Sequence, residues 1–122
     1  MLFFLLSGHA LMDYGLQTEA MATCKCRSPE QPLHKSVPWY YWLTAHALLH
    51  GAAVALVILV VGAGRYNLET AVMYGLLEFG IHWLIDLAKC AGLTSIHVDQ
   101  GLHVLCKVAW YAMLLAGFTY PA

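Results

Sequence analysis

The stretch Glu78-Phe79-Gly80-Ile81-His82-Trp83-Leu84-Ile85-Asp86 indicates the fold, because it places three ionisable side chains inside the apolar run from Leu68 to Leu87. Glu78, His82 and Asp86 are four residues apart, and each step of four adds only about 40° to a full helical turn. The spacing therefore predicts that all three project from one face of one helix. An Asp in the middle of a membrane-spanning helix costs roughly 2.5–3.5 kcal/mol, so this face needs partners that compensate its charge.

Three other apolar segments carry pairs of ligand-type side chains at the same spacing of four. The pairs are His9 and Asp13, His46 and His50, and Asp99 and His103. In an up-down arrangement the second half of one helix lies at the depth of the first half of the next. All the pairs then lie within roughly 10–15 Å of one membrane face. The sequence therefore predicts that they meet in one place.

The composition is typical of an integral-membrane protein. The 122 residues are 61% hydrophobic and 11% charged, with a mean hydropathy of +0.65, whereas soluble domains are about 45–50% apolar and about 25% charged. The length suits a single domain over residues 1–122. The formal net charge is -1 and no basic patch is present, which argues against nucleic acid as a partner.

Four apolar segments have the length of a membrane span, about 20 residues at 1.5 Å per residue. They predict helices over about residues 2–22, 39–62, 68–91 and 98–118, with a polar, proline-rich loop over 23–38. The predicted fold is all-α, a four-helix transmembrane bundle with up-down topology in the lipid bilayer. A second copy of the chain is a candidate partner.

The loop charges predict an orientation. One end of the bundle carries Lys25, Arg27, Lys35 and Lys89, and the other carries Arg65. The positive-inside rule therefore places the ionisable side chains near the cytoplasmic side and both termini outside.

The four cysteines are predicted to be reduced thiols. Cys24 and Cys26 lie close together in the polar loop, while Cys90 and Cys106 are far apart in the sequence. The pattern Cys24-Lys25-Cys26 also suits a soft metal ion, but a single C-x-C is weakly specific.

The ligand-type side chains favour a divalent metal site. Imidazole and carboxylate groups suit Zn(II), and also Mn(II) or Fe(II), and this number could hold one or two ions. The candidate ligands are His9, Asp13, His46, His50, His82, Asp86, Asp99 and His103. The candidate catalytic residues are Glu78, as a proton acceptor or further ligand, and Gln17, which, like Gln100, could orient ligands.

Three functions agree with this pattern. The first is metal-dependent hydrolysis of a lipid-like or other membrane-proximal substrate, because a metal with an open position acidifies bound water. The second is a non-enzymatic membrane module in which the metal or a polar network holds the helices or a partner. The third is an ion or proton conduit, although the apolar opposite half of the bundle argues against a continuous path.

The motifs also resemble a family of small integral-membrane proteins of unassigned function, found in bacteria and their phages. The shared pattern comprises His9-x-x-x-Asp13-x-x-Leu16-Gln17, His46-Ala-Leu-Leu-His50-Gly51, His82-Trp-Leu-Ile-Asp86 with Lys89, and Asp99-Gln100-x-x-His103. The likeness covers roughly residues 5–107 and implies a membrane bundle, with the bacterial inner membrane as its location. The intramembrane His and Asp pairs are also, more loosely, similar to membrane-bound metal-dependent hydrolases.

Overall fold

The computed structural model describes residues 1–28 and 31–121, and the described residues form helices and no strands. Residues 29 and 30 of the predicted loop, and residue 122, lie outside this description. The five α-helices are α1 (Leu2–Ala10), α2 (Glu19–Cys24), α3 (Trp39–Val61), α4 (Leu68–Cys90) and α5 (Ile96–Leu115). A π-helical turn (Leu11–Gly15) follows α1, and a 3-10 turn (Pro32–Lys35) precedes α3. The all-α prediction is confirmed.

Local signals in the sequence explain where α4 and α5 begin and where α4 ends. The Asn67 side chain accepts a hydrogen bond from Thr70 N at 2.9 Å, and the Ser95 hydroxyl accepts one from Val98 N at 3.3 Å. Gly92, with a φ of +74°, ends α4, and Leu93 N donates to Ala88 O at 2.9 Å. The predicted start of the third helix near residue 68 agrees with this structure.

The prediction of one continuous first helix over residues 2–22 is wrong. The helix widens after Ala10, so that Leu16 N donates to Leu11 O five residues back at 2.8 Å. The chain then leaves the helix and restarts at α2, where the Thr18 hydroxyl accepts from Met21 N. The π-helical turn contains Asp13, and Gln17 lies in the break that follows.

Four of the helices pack in a closed ring, in which α3 contacts α4, α4 contacts α5, α5 contacts α1 and α1 contacts α3. The α3–α4 contact brings the two backbones together at Gly51 and Gly75. A Cβ built on Gly51 would lie 2.5 Å from Gly75 O, so only glycine fits there. The short α2 packs against α3.

The interior of the ring has two layers. One layer is apolar, built from Leu5, Val54, Ile58, Ala71, Tyr74, Trp110 and Leu114. The other lies towards the end of α4 at Cys90 and contains the buried histidines and carboxylates. The outward-facing side chains include many large apolar residues, such as Leu56 and Leu105, which are 61% and 62% exposed. The chain therefore has polar groups inside and apolar groups outside.

Two of the four predicted spans are long and apolar enough to cross a membrane. They are α3 and α4, each with 23 residues and with mean hydropathies of 2.1 and 1.3 over their most apolar windows. The α1 helix has nine residues before the π-helical turn, and α5 carries Asp99, His103 and Lys107 on its buried side.

The prediction of four reduced cysteines is wrong for two of them. Cys26 and Cys90 form a disulfide with their Cα atoms 4.9 Å apart, which ties the loop after α2 to the last residue of α4. The two cysteines are 64 positions apart in the sequence, so the pairing could not be predicted from it, because only the packing of the helices brings the loop to this end of α4. Cys24 and Cys106 are free.

Candidate metal centre

The structure brings the sequence-predicted ligands from five helical elements into one buried group, here called the polar cluster. Its members are His9, Asp13, His46, His50, Glu78, His82, Asp86, Asp99 and His103. They come from α1, the π-helical turn, α3, α4 and α5. All are 5% exposed or less, apart from Asp13, whose side chain is 8% exposed. The ring of His82 stacks between those of His50 and His103, with centroids 3.7 and 4.0 Å away.

Four ligand atoms converge within this cluster. Asp13, His46, His50 and His82 each offer one ligand atom, and these atoms all lie within 4.8 Å of one another. Asp13 Oδ1 is 3.0 Å from His50 Nε2 and 3.3 Å from His46 Nε2. Ligand atoms about 2.0–2.2 Å from a tetrahedral zinc ion lie about 3.3–3.5 Å apart, which is close to these separations.

Hydrogen bonding does not account for this convergence. Among the described residues, no hydrogen-bond partner satisfies Asp13 Oδ1 or the Nε2 atoms of His46, His50 and His82. The short distances between them lack the alignment that a hydrogen bond requires. Each unsatisfied buried polar group costs about 1–3 kcal/mol. A cation facing all four lone pairs would remove this cost.

Two neighbouring side chains place hydrogen-bond acceptors beside the Nδ1 atoms of His46 and His82. The Gln17 amide is best oriented with its nitrogen donating to Asp13 O at 3.1 Å and its oxygen accepting from Lys25 Nζ at 3.2 Å. The same amide lies 3.3 Å from His46 Nδ1, so its oxygen accepts the Nδ1 proton. Glu78 Oε1 lies 3.3 Å from His82 Nδ1 and accepts in the same way. Both Nε2 atoms are then left with a free lone pair.

A second group of ligand-type atoms adjoins the first, formed by Asp86, Asp99 and His103. Asp86 contacts ligand atoms of both groups. Its Oδ2 is 3.4 Å from His46 Nε2, and its Oδ1 is 3.4 Å from His103 Nε2. His103 Nε2 is also 3.7 Å from Asp99 Oδ1. Asp86 therefore connects the two groups.

Three lysines neutralise three of the four carboxylates in the cluster. Lys25 Nζ lies 2.7 Å from Asp86 Oδ2, Lys107 Nζ lies 2.6 Å from Glu78 Oε1, and Lys89 Nζ lies 3.5 Å from Asp99 Oδ2. Within the described part of the chain, Asp13 has no lysine partner and faces histidines instead. The carboxylate without an ammonium partner is therefore the one at the point of convergence.

Glu78 lies deeper than the convergent atoms, in a network that engages both of its oxygens. Lys107 donates to Oε1, and Trp110 Nε1 donates to Oε2 at 2.7 Å. These charged and aromatic donors hold Glu78 as an acceptor for His82, and they occupy the positions from which it would take a proton from water. Glu78 is itself 1% exposed. The geometry is that of a side chain that orients a ligand.

The placement of the other predicted residues differs in detail. His9 lies in the cluster, with its Nε2 3.3 Å from Gln100 Oε1, and it belongs to none of the convergent groups found among the described residues. Gln100 Nε2 donates to Asp13 Oδ2 at 2.9 Å and to Asp99 Oδ2 at 3.2 Å. Gln100 therefore connects both groups of carboxylates, as its predicted orienting role requires.

Sequence reasoning missed Lys25, Lys107 and Trp110. Lys107 had a signal, since it follows His103 by four residues and extends the ladder that begins at Asp99. A lysine on such a face within an apolar helix points to an internal acidic partner. Lys25 had no such signal, because its contact with Asp86 spans 61 residues and depends on the path of the loop.

The chain belongs to the family described as "Protein of unknown function (DUF3307)", whose model matches residues 1–119. This agrees with the expected likeness to a family of unassigned function. No curated protein and no solved structure matches the chain. The chemistry of the site must therefore be argued from its own residues.

Proposed function

We propose that this protein is a four-helix integral-membrane protein that holds one divalent metal ion, zinc foremost, at Asp13, His46, His50 and His82. One observation carries the proposal: four buried ligand atoms from three segments of the chain converge without hydrogen bonds to satisfy them. A three-imidazole, one-carboxylate set is a zinc ligand set, and Mn(II) or Fe(II) would also fit it.

The distribution of polar and apolar residues supports the membrane part of the proposal. Buried polar side chains include four histidines of α3, α4 and α5 and the carboxylates around them, while leucines and valines cover the outside of the same helices. In water this arrangement would expose a large apolar surface, whereas lipid would cover it. The short α1 with its π-helical turn, together with α3, α4 and α5, would form the four spans.

The charge balance supports a single ion. The four carboxylates Asp13, Glu78, Asp86 and Asp99 carry four negative charges, against three positive charges on Lys25, Lys89 and Lys107. One divalent ion converts the remaining charge from -1 to +1, whereas two would leave +3 in a region shielded from water. Since burial of uncompensated charge is costly, the cluster with all three lysines in place favours one ion over two.

For the activity, we propose metal-dependent hydrolysis of a lipid-like or other membrane-proximal substrate. With a fifth position open to water, a divalent ion held by these four residues would lower the pKa of a bound water and polarise an ester or phosphoryl oxygen. Asp86, Asp99 and His103 adjoin the ion position and could accept and return protons. Lys25 contacts Asp86 and would supply a positive charge for an anionic group on the substrate.

A specific observation favours a second candidate, a non-enzymatic module stabilised by its metal. The convergent group already supplies four protein ligands, and a closed four-ligand shell is typical of structural zinc sites, while catalytic sites keep a position open. In this case the metal would fasten the π-helical turn to α3 and α4, and the remaining acidic groups would serve only to balance charge.

Elemental analysis of protein purified without added metal tests the proposal. We expect one equivalent of a divalent metal in the wild type, loss of that metal in Asp13→Asn and His50→Ala, and retention in His97→Ala, which changes an exposed histidine of α5. Wild-type protein without bound metal, even after dialysis against Zn(II), would overturn the metal site.

Incubation of the metal-loaded protein with a lipid extract then separates the two candidates. Release of a fatty acid or of a phosphorylated headgroup that depends on His50 supports hydrolysis. A protein that holds its metal but turns over no lipid favours the structural module.

A further inference from the structure

Lys25 occupies an unusual place for a lysine. It is the residue after α2, in a loop, yet it is 5% exposed, and its ammonium group points into the polar cluster. Its Nζ lies 2.7 Å from Asp86 Oδ2 and 3.2 Å from Gln17 Oε1. Lys25 thus places a permanent positive charge on the carboxylate that connects the two groups of ligand atoms.

The group around Lys25 has the composition of a cation site in its own right. Asp86, Asp99 and His103 each offer one ligand atom, and these atoms lie within 4.8 Å of one another. Asp99 is 0% exposed, and its Oδ1 finds no hydrogen-bond partner among the described residues. An unsatisfied, buried carboxylate oxygen facing His103 is an independent sign that a cation fits there.

We propose that Asp86, Asp99 and His103 form a second divalent-cation site beside the first, and that the Lys25 ammonium competes with the cation for it. This inference rests on the proposed metal site and extends it. The two ions of paired-metal sites lie about 3.5–4 Å apart, and Asp86 contacts both groups of ligand atoms. With Lys25 in place the second site is already neutralised, so the wild type binds one ion tightly and a second ion only weakly. When Lys25 is removed, the second ion binds.

A disulfide and the His34 ring hold the loop around Lys25 in place, which keeps the ammonium group on Asp86. Cys26, the next residue, is joined to Cys90 at the end of α4. The His34 ring lies 2.8 Å from Cys24 O and 2.9 Å from Ser28 O, on the two sides of Lys25 in the chain. Because these contacts fix the main chain on both sides, the ammonium group cannot leave Asp86 through a simple rotation of the loop.

The ratio of zinc to protein tests the inference. Protein stripped with a chelator is dialysed against Zn(II) in detergent, and the bound metal is measured by mass spectrometry. We expect one ion in the wild type and two in Lys25→Met, which keeps the apolar stem and removes the charge. Lys25→Arg, which keeps the charge, should bind one ion. Lys35→Met, an exposed lysine of the same region, should also bind one, and Lys25→Met with Asp99→Asn should return to one.

The outcomes distinguish this inference from the function on which it rests. After dialysis against micromolar Zn(II), one ion in a folded Lys25→Met overturns the second site, and two ions in the wild type overturn the competition by Lys25. Both results leave the first metal site standing, whereas no zinc in any variant overturns the first site as well.

A Mn(II) titration of the wild type gives a second measurement that does not need the Lys25 variant to fold. We expect a weaker second binding phase with a spin-coupled electron paramagnetic resonance signal, which Asp99→Asn removes. A single uncoupled phase up to millimolar Mn(II) would overturn the second site.

Discussion

Asp13 Oδ1 lies 3.0 Å from His50 Nε2, yet among the described residues neither atom has a hydrogen-bond partner. The contact joins the π-helical turn to the middle of α3. It depends on the widened turn after Ala10, which alters the direction of Asp13 relative to a regular helix. The two atoms face each other without a bond, as the proposed metal site requires.

Removal of the metal should lower stability. A ligand that binds only the folded state stabilises it by mass action, by about 2.7 kcal/mol at 100 times its Kd. We therefore expect a chelator to lower the Tm of the wild type, measured by differential scanning fluorimetry in detergent. His82→Ala should melt earlier and show no further shift with chelator, whereas His97→Ala should respond like the wild type. A chelator-insensitive wild type would favour a polar network without metal.

Replacement of Glu78 distinguishes an orienting role from a basic one. Because Glu78 accepts from His82 Nδ1 and is already bonded to Lys107 and Trp110, Glu78→Gln should weaken metal affinity by about 10–100-fold. Glu69→Gln, an exposed glutamate in the first turn of the same helix, is the matched control. Metal affinity is measured by competition with a chromophoric chelator.

The earlier expectation for Glu78, a general base, makes the opposite prediction. In that case Glu78→Gln would keep its metal with unchanged affinity and lose about 10²–10⁴ in the rate of any hydrolysis. The comparison of metal affinity with turnover therefore decides between the two roles.

The buried pair of Lys107 and Glu78 should be strongly coupled. Both side chains are 1% exposed and their charged atoms are 2.6 Å apart. Lys107→Met would leave Glu78 buried without its cation, at a cost of about 3–5 kcal/mol in the free energy of unfolding. The double variant Lys107→Met with Glu78→Gln should recover much of that loss. Unfolding in a denaturing detergent measures the wild type, the two single variants Lys107→Met and Glu78→Gln, and the double variant, and an additive double variant would contradict the coupling.

The contact between α3 and α4 should tolerate no side chain at Gly51. A Cβ there would lie 2.5 Å from Gly75 O, a backbone atom that cannot move without separating the helices. We expect Gly51→Ala to destabilise the protein by about 1–3 kcal/mol. Gly80 lies in α4, like Gly75, but a Cβ there would meet open space. Gly80→Ala should therefore stabilise the protein slightly, because alanine favours a helix by about 0.5–1 kcal/mol over glycine. Equal effects at the two positions would contradict the close approach.

Counting thiols tests the disulfide. In denatured but unreduced protein we expect maleimide to label two cysteines, Cys24 and Cys106, and after reduction all four. Cys26→Ser should leave three reactive thiols under both conditions. Four thiols in unreduced wild type would restore the original prediction of reduced cysteines.

The disulfide also bears on the orientation. The positive-inside rule predicts that the end with the polar cluster is cytoplasmic, because that end carries Lys25, Arg27, Lys35 and Lys89. The disulfide at the same end favours the opposite side of the membrane, because disulfides persist in oxidising compartments. We expect a cysteine at the exposed Ser36 to react with a membrane-impermeant maleimide in intact cells. Protection of that cysteine, with labelling only after lysis, would support the orientation predicted from the charges.

The sequence by itself determined the helical class, the starts of α3 and α4, and the side chains that form the cluster. It did so because hydropathy, capping residues and the spacing of four are local properties, and a helix converts such spacing directly into a shared face. For this reason the sequence predicts that His46 shares a helix face with His50, and His82 with Asp86. The same spacing also reaches Lys107 from His103.

Only the tertiary structure decided how those faces combine. The break at residues 16–18, the Cys26–Cys90 bond and the placement of Lys25 on Asp86 depend on contacts between residues far apart in the chain. So does the choice of which ligand atoms converge: His9 Nε2 lies 3.5 Å from Asp13 Oδ2 and 3.3 Å from Gln100 Oε1, and His9 belongs to none of the convergent groups found among the described residues. Periodicity fixes the direction of a side chain from its own helix, whereas the partner it meets is set by the packing of the other helices.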